Sequence, residues 1–189
     1  MKQFLYTCRY LDDVLSFCNP SFETYSVLET APLINGIYSG LYPAALKLNL
    51  ELEGHAVHFL DAFIYRCSRT ERVQTSLYEK SSDPKYDQLA FFRYPDITSK
   101  LAEMVKLNII LSQSIRFYRL CSKESSFIHH LAVLIRTLIS ERGYPRRRVE
   151  SILRNAASRF VPCWTLLTAN AFVCAIFRRV DMIERICRH

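Results

Sequence analysis

The spacing of apolar residues changes at Pro95, and that change limits the folds open to the chain. Before it, Leu46, Leu48, Leu50 and Leu52 alternate with Lys47, Asn49, Glu51 and Glu53. A period of two puts one row of side chains on a buried face and the other in water, so this stretch reads as a half-buried strand. After Pro95 the spacing becomes helical. Leu101, Met104, Val105, Leu111, Ile115 and Tyr118 form one stripe, with Ser99 as a candidate cap and with Arg116 and Arg119 off the stripe. Phe127, Leu131, Leu134, Ile135 and Leu138 form a second stripe, in a helix begun by Ser125-Ser126. Strands followed by helices, instead of alternating with them, predict an α+β fold. Half of the 189 residues are hydrophobic, enough to bury a sizeable core.

Other segments fill in this outline. Gly54-His55 turns the chain into a second strand over 57–65, and 68–71 turns it into a third over 72–78. With 46–53 these make a three-stranded antiparallel meander. Phe22 to Leu33 is helical at its start and is broken by Pro32 and Asn35-Gly36. Tyr86, Phe91, Phe92 and Tyr94 lie in a loop over 80–95, where such rings either cover a core or stack on bases.

Gly143-Tyr144-Pro145 ends the second helix, with glycine for the C-cap and proline for the next first turn. The third helix turns Val149, Ile152, Leu153 and Ala156 inward, and Arg146, Arg147, Arg148, Arg154 and Arg159 crowd its ends and outer face. Helix, short turn and basic helix together read as a helix-turn-helix unit, whose basic face would contact phosphates. A solvated basic face with no partner is the plainer reading. Three arginines at a helix N-terminus oppose the helix dipole, which argues for a role beyond helix stability.

The chemistry concentrates near the N-terminus. Arg9-Tyr10-Leu11-Asp12-Asp13 sits between the apolar, β-prone runs Phe4-Leu5-Tyr6 and Val14-Leu15-Ser16-Phe17, which predicts a tight β-hairpin. Inside a strand, adjacent carboxylates would point to opposite faces; at a hairpin tip both can reach one side. Two crowded carboxylates repel each other unless a divalent cation neutralises them. Mg²⁺ suits such a place, because it takes a few carboxylates and completes its shell with water and phosphate oxygens. The alternative is a surface turn in which the aspartates cap nearby backbone.

A formal charge of +7 favours an acidic partner, with nucleic acid first. The seven cysteines are scattered, odd in number and without metal-ligand spacing, which reads as reduced, mostly buried thiols in an intracellular protein. His129-His130 reads as a pair of ordinary helix residues, and no signal peptide opens the sequence. Phe160 to Phe177 is nearly uncharged but interrupted by Pro162 and Asn170. It suits a buried or partner-facing helix better than a membrane span, and a tail from a changed reading frame is the third reading.

The tip sequence resembles the Tyr-x-Asp-Asp hairpin of reverse transcriptases. The order that follows widens the resemblance: Leu41-Tyr42-Pro43-Ala44-Ala45-Leu46-Lys47-Leu48, Phe59-Leu60-Asp61, Thr75-Ser76-Leu77-Tyr78-Glu79-Lys80, Arg116-Phe117-Tyr118-Arg119-Leu120-Cys121-Ser122 and Arg142-Gly143-Tyr144-Pro145. Over about residues 4–159 the chain is similar to the C-terminal half of the reverse transcriptases of Penelope-like and related non-LTR-type retroelements. The resemblance implies a partial palm over 1–95, a helical thumb with a helix-turn-helix piece over 96–160, and a divergent tail over 161–189. It implies RNA-directed DNA polymerase chemistry, nucleotidyl transfer with two Mg²⁺ ions, with Asp12 and Asp13 as metal ligands and Tyr10 beside them. Phe59, Leu60 and Asp61 would lie in a primer-grip strand, and Arg116, Arg119, Arg146, Arg147 and Arg148 would face the template–primer duplex.

The family's ion cage needs a further aspartate from an earlier palm strand, and only nine residues precede Tyr10. The expectation is therefore a fragment that is inactive alone, of intracellular location, the nucleus included. It would associate with itself or with the missing polymerase half through an exposed sheet edge. The alternatives are a non-catalytic nucleic-acid-binding helix-turn-helix protein derived from such an enzyme, and a host protein that keeps the fold only for protein contacts.

Overall fold

The computed structural model describes residues 4–10, 13–18, 54–80, 93–157 and 168–186. The expected strand over 46–53, the helix from Phe22 and the aromatic loop residues Tyr86, Phe91 and Phe92 lie outside them. Among the described residues the fold is mixed α+β, with a two-stranded hairpin, a three-stranded antiparallel sheet and four α-helices.

The N-terminal hairpin forms as its apolar runs predict. β1 (Phe4–Tyr10) pairs antiparallel with β2 (Asp13–Cys18), with an irregularity between Phe4 and Tyr6. Arg9 faces Val14, and Tyr10 faces Asp13 at the last pair of the ladder.

The second sheet is a meander of β3 (Ala56–Phe59), β4 (Ala62–Arg66) and β5 (Val73–Leu77), in that order. It corrects the reading of 57–65 as one strand. The chain reverses at Leu60-Asp61, between the paired residues Phe59 and Ala62. Leu60 takes φ +54°, a left-handed conformation that leucine seldom adopts and that no glycine or asparagine announces. The second reversal, 68–71, falls where it is expected; Glu71 has φ +56° there, and Cys67 and Arg72 are bonded across it.

Four helices follow: α1 (Glu103–Leu120), α2 (Glu124–Arg136), α3 (Arg146–Ala157) and α4 (Ala169–Ile186). A single π-helical turn, Thr137–Glu141, extends α2. The inward stripe of α2 is as predicted, since Phe127, Leu131, Leu134, Ile135 and Leu138 are all buried. Gly143 stands at φ +70° and lets the chain turn into α3; a Cβ there would meet Ile97 at 3.3 Å. Tyr144 fills the space beneath the turn, its hydroxyl donating to the Pro95 carbonyl at 3.2 Å.

One expectation about α1 does not hold, and a second holds in part. Ser99 is not its cap: the helix begins after Ala102, with no side-chain cap. The Asp96 carboxylate instead accepts from the Thr98 amide and hydroxyl, folding 96–98 into a turn of its own. The inward face agrees with the predicted stripe in its second half, where Leu111, Ile115 and Tyr118 pack against the core, and differs in the first. Lys106, Ile110, Ser114 and Phe117 are buried, while Leu101, Met104 and Val105 lie at the surface. Lys106 is held inside because its ammonium donates to the Ile97 and Ser99 carbonyls, at 2.5 and 2.9 Å.

α4 packs into the same core as the other helices. Phe172, Val173, Ile176, Phe177 and Val180 join the core formed by α1, α2, α3 and Leu77 of β5, and Phe172 stacks on Phe127 with ring centroids 5.9 Å apart. No helix among the described residues is long and apolar enough to cross a membrane.

The sheet meets the helices edge-on. β5 is an edge strand, and its outward Thr75 amide and carbonyl would be left open. Ser122, at the corner between α1 and α2, takes both: Thr75 N–H donates to Ser122 Oγ at 2.9 Å, and Ser122 N–H donates to the Thr75 carbonyl at 2.9 Å.

Candidate functional site

The residues with expected roles fall into three groups. The first is the hairpin end, where Tyr10 and Asp13 face each other at the last pair of the ladder. Asp12, and the side chains of Tyr10 and Asp13, lie outside the described residues. Among the described residues, no three His, Cys, Asp or Glu side chains converge as a metal site would require.

The second group is Phe59, Leu60 and Asp61: Phe59 ends β3, while Leu60 and Asp61 form the β3–β4 turn and lie in no strand. Asp61 reaches α1, where its carboxylate accepts from Arg116 at 2.7 Å. Arg116 also donates to Gln113 at 3.0 Å. The turn and the first helix are thus joined by one ion pair, both partners of which the sequence marks for contact with nucleic acid.

The third group is the arginines. Arg148 pairs with Glu103 at the start of α1. Arg146 pairs with Glu150 and Asp181, and its guanidinium lies 4.5 Å from the centroid of the Phe177 ring. These two arginines tie α3 to its neighbours. Arg147 and Arg154 are exposed and seven residues apart, hence on one side of α3. Arg119 is exposed at the end of α1.

A further feature goes unmarked by sequence motifs. A groove of about 360 Å³ opens between β4–β5 and α2, lined by Phe63, Leu77, Tyr78, Glu79, His129, His130 and Val133. Ser76 Oγ and His130 Nε2 share a hydrogen bond of 3.0 Å beside it. Burial, and secondarily the neighbouring His129, pushes His130 down to a pKa of about 4, so it is neutral at pH 7. Burial and then Arg179 lower His129 as well; its Nδ1 accepts from the Arg179 guanidinium at 3.2 Å, linking α2 to α4. The adjacent histidines were the available signal, but a doublet alone does not reveal which strand faces it.

Tyr94 packs against the core, and burial raises its pKa, so of the two roles for loop aromatics it takes the covering one. Among the described free thiols, Cys121 is buried, Cys67 half-buried and Cys174 exposed, so the expectation of mostly buried cysteines holds for only one of these. The Thr70 hydroxyl, with the Thr70 and Arg69 amides, lowers Cys67 to about 7. No family model matches the chain, and no curated protein or solved structure matches it.

Proposed function

We propose that this chain carries the metal-binding hairpin and the duplex-holding helices of a retroelement reverse transcriptase. The observation that carries the reading is the β1–β2 register. It pairs Tyr10 with Asp13, the first residue of β2, and so puts Asp13 at the end of the ladder. Adjacent carboxylates at a hairpin end are a hard, anionic donor set of the kind Mg²⁺ takes, with water and phosphate oxygens completing its shell. When bound, the ion would stabilise negative charge on phosphate oxygens during nucleotidyl transfer. Asp12 and Asp13 would hold it. Arg116, Arg119 and Arg147 would contact the duplex backbone, while Arg146 and Arg148 position α3.

The test uses the whole chain with Mn²⁺ as a paramagnetic substitute and a labelled template–primer duplex. The expected outcome is Mn²⁺ binding that disappears in the double variant Asp12→Asn, Asp13→Asn, and duplex affinity that falls steeply with salt. Each phosphate contact should contribute about −0.9 to the slope of log affinity against log salt. Equal Mn²⁺ binding by the parent and the double variant would reject the polymerase reading.

A second reading is a nucleic-acid-binding unit without chemistry. It is favoured by the four-residue turn between the π-helical segment and α3, and by the exposed Arg147 and Arg154 on one side of α3. Salt-dependent duplex binding without any Mn²⁺ site would select it.

A further inference from the structure

The outward face of the meander gathers rings. His58 lies opposite Phe63, Phe63 opposite Ser76, and Tyr65 opposite Gln74. Residues directly opposite in an antiparallel ladder share a face, and so do alternate residues along a strand. His58, Phe63 and Tyr65 therefore stand on one face. Tyr78 joins them, its ring stacked on His58 at 4.3 Å and 2° from parallel. Phe63 and Tyr65 lie 5.7 Å apart. The opposite face carries Ile64 and Leu77, which are buried.

A core would use such rings, but Phe63, the second residue of the central strand, is 37% exposed. It forms one wall of the groove described above, with His129 and His130 on the other side. The borders of this face are cationic. Lys123 Nζ sits 5.6 Å from the centroid of the Tyr65 ring. Arg179 reaches the His129 ring and, among the described residues, has no carboxylate partner. Glu79, the one acid in the lining, is occupied by Arg93 at 3.3 Å.

We infer that this sheet face and its groove are a stacking platform for single-stranded nucleic acid, with an unpaired base on the Phe63 ring and the flanking phosphates beside Lys123 and Arg179. Each part has a physical reason. Every base has a π-face, so aromatic rings on a sheet take bases irrespective of sequence. A backbone anion is attracted by the two cations, whereas an acidic peptide would gain nothing from the row of rings. A base in a duplex is already stacked on its neighbours and cannot reach Phe63, so the platform selects the unpaired strand. This site does not depend on the hairpin or on any metal ion, and it stands or falls separately from the polymerase reading.

The deciding experiment is fluorescence anisotropy on the full chain with two oligonucleotides of equal length and charge, oligo(dT) and an abasic strand. The parent should bind oligo(dT) at least about tenfold more tightly, as stacking of one or two bases implies. Phe63→Ala should remove roughly that factor, Phe63→Trp should retain it, and all three proteins should bind a blunt duplex equally. Circular dichroism establishes that the variants are folded. Equal affinity for the abasic strand and oligo(dT) would overturn the inference. So would a Phe63→Ala variant that folds and binds oligo(dT) as the parent does.

Discussion

Two helices adjacent in the chain, α1 and α2, differ in how directly their sequences show which side is buried. In α2 every residue of the predicted stripe is buried, and the polar residues lie elsewhere. In α1 apolar residues occur on more than one side. Met104 and Val105 are exposed, while Ile110 and Phe117 are buried. Between the last two lies Ser114, whose hydroxyl donates to the Ile110 carbonyl at 2.6 Å and so tolerates burial. Spacing identifies a buried face only when the helix has one apolar side; where it has two, hydrogen bonds to the buried polar residues decide.

The largest test of this difference is a pair of truncations. Phe127→Ala, in the buried stripe of α2 and stacked on Phe172, should cost about 3–5 kcal/mol in urea denaturation. Met104→Ala, at an exposed position of α1, should change stability by no more than about 0.5 kcal/mol. Comparable losses from the two would mean that the Leu101-Met104-Val105 side of α1 is covered after all.

The same distinction explains what could be read in advance. The N-terminal hairpin, the 68–71 reversal, the α2 stripe and the Gly143 turn were legible, because each is dictated by local chemistry: β-prone runs, turn residues or a glycine that must take positive φ. The Leu60-Asp61 reversal was not, because it rests on a leucine at φ +54° and on the long-range pair between Asp61 and Arg116. The apolar run to Phe177 announces a buried helix, but the described helix, Ala169–Ile186, continues nine residues past it, and its place against α2 was not legible, since Phe172 and Phe127 are distant in sequence. The arginines were visible as a basic cluster. That Arg146 and Arg148 are held by carboxylates, while Arg147 has none among the described residues, follows from tertiary placement alone. The groove beside His130 needed β5 to be docked by Ser122, a contact with no sequence signature.

A smaller effect tests why α1 buries a lysine. Lys106→Met keeps most of the aliphatic stem but removes the donor shared by the Ile97 and Ser99 carbonyls. Two acceptors then lose a charged partner, and the expected cost is about 2 kcal/mol. Hydrogen exchange at 97–99 should quicken in the same variant. An unchanged urea midpoint would show that those carbonyls have an adequate alternative, and that burial of Lys106 is incidental.

The smallest effect belongs to α2 and depends on pH. His130 has an ordinary pKa of 6.5 when unfolded and about 4 in the folded chain, chiefly because burial disfavours its cation. Between those values the unfolded chain binds the extra proton and the folded one does not, so stability falls as pH falls. The contribution is complete above about pH 6.5, declines through the window, and is fully lost below about pH 4. Because His130 is only half-buried, solvent screening reduces the loss to about 1 kcal/mol. His129 shifts in the same direction and adds to the slope. Urea midpoints between pH 7 and 4.5 should therefore decline more steeply for the parent than for His130→Gln, which cannot take the proton. Parallel curves would place His130 in contact with water in the folded state. The groove would then be more open on its α2 side than the hydrogen bond to Ser76 implies.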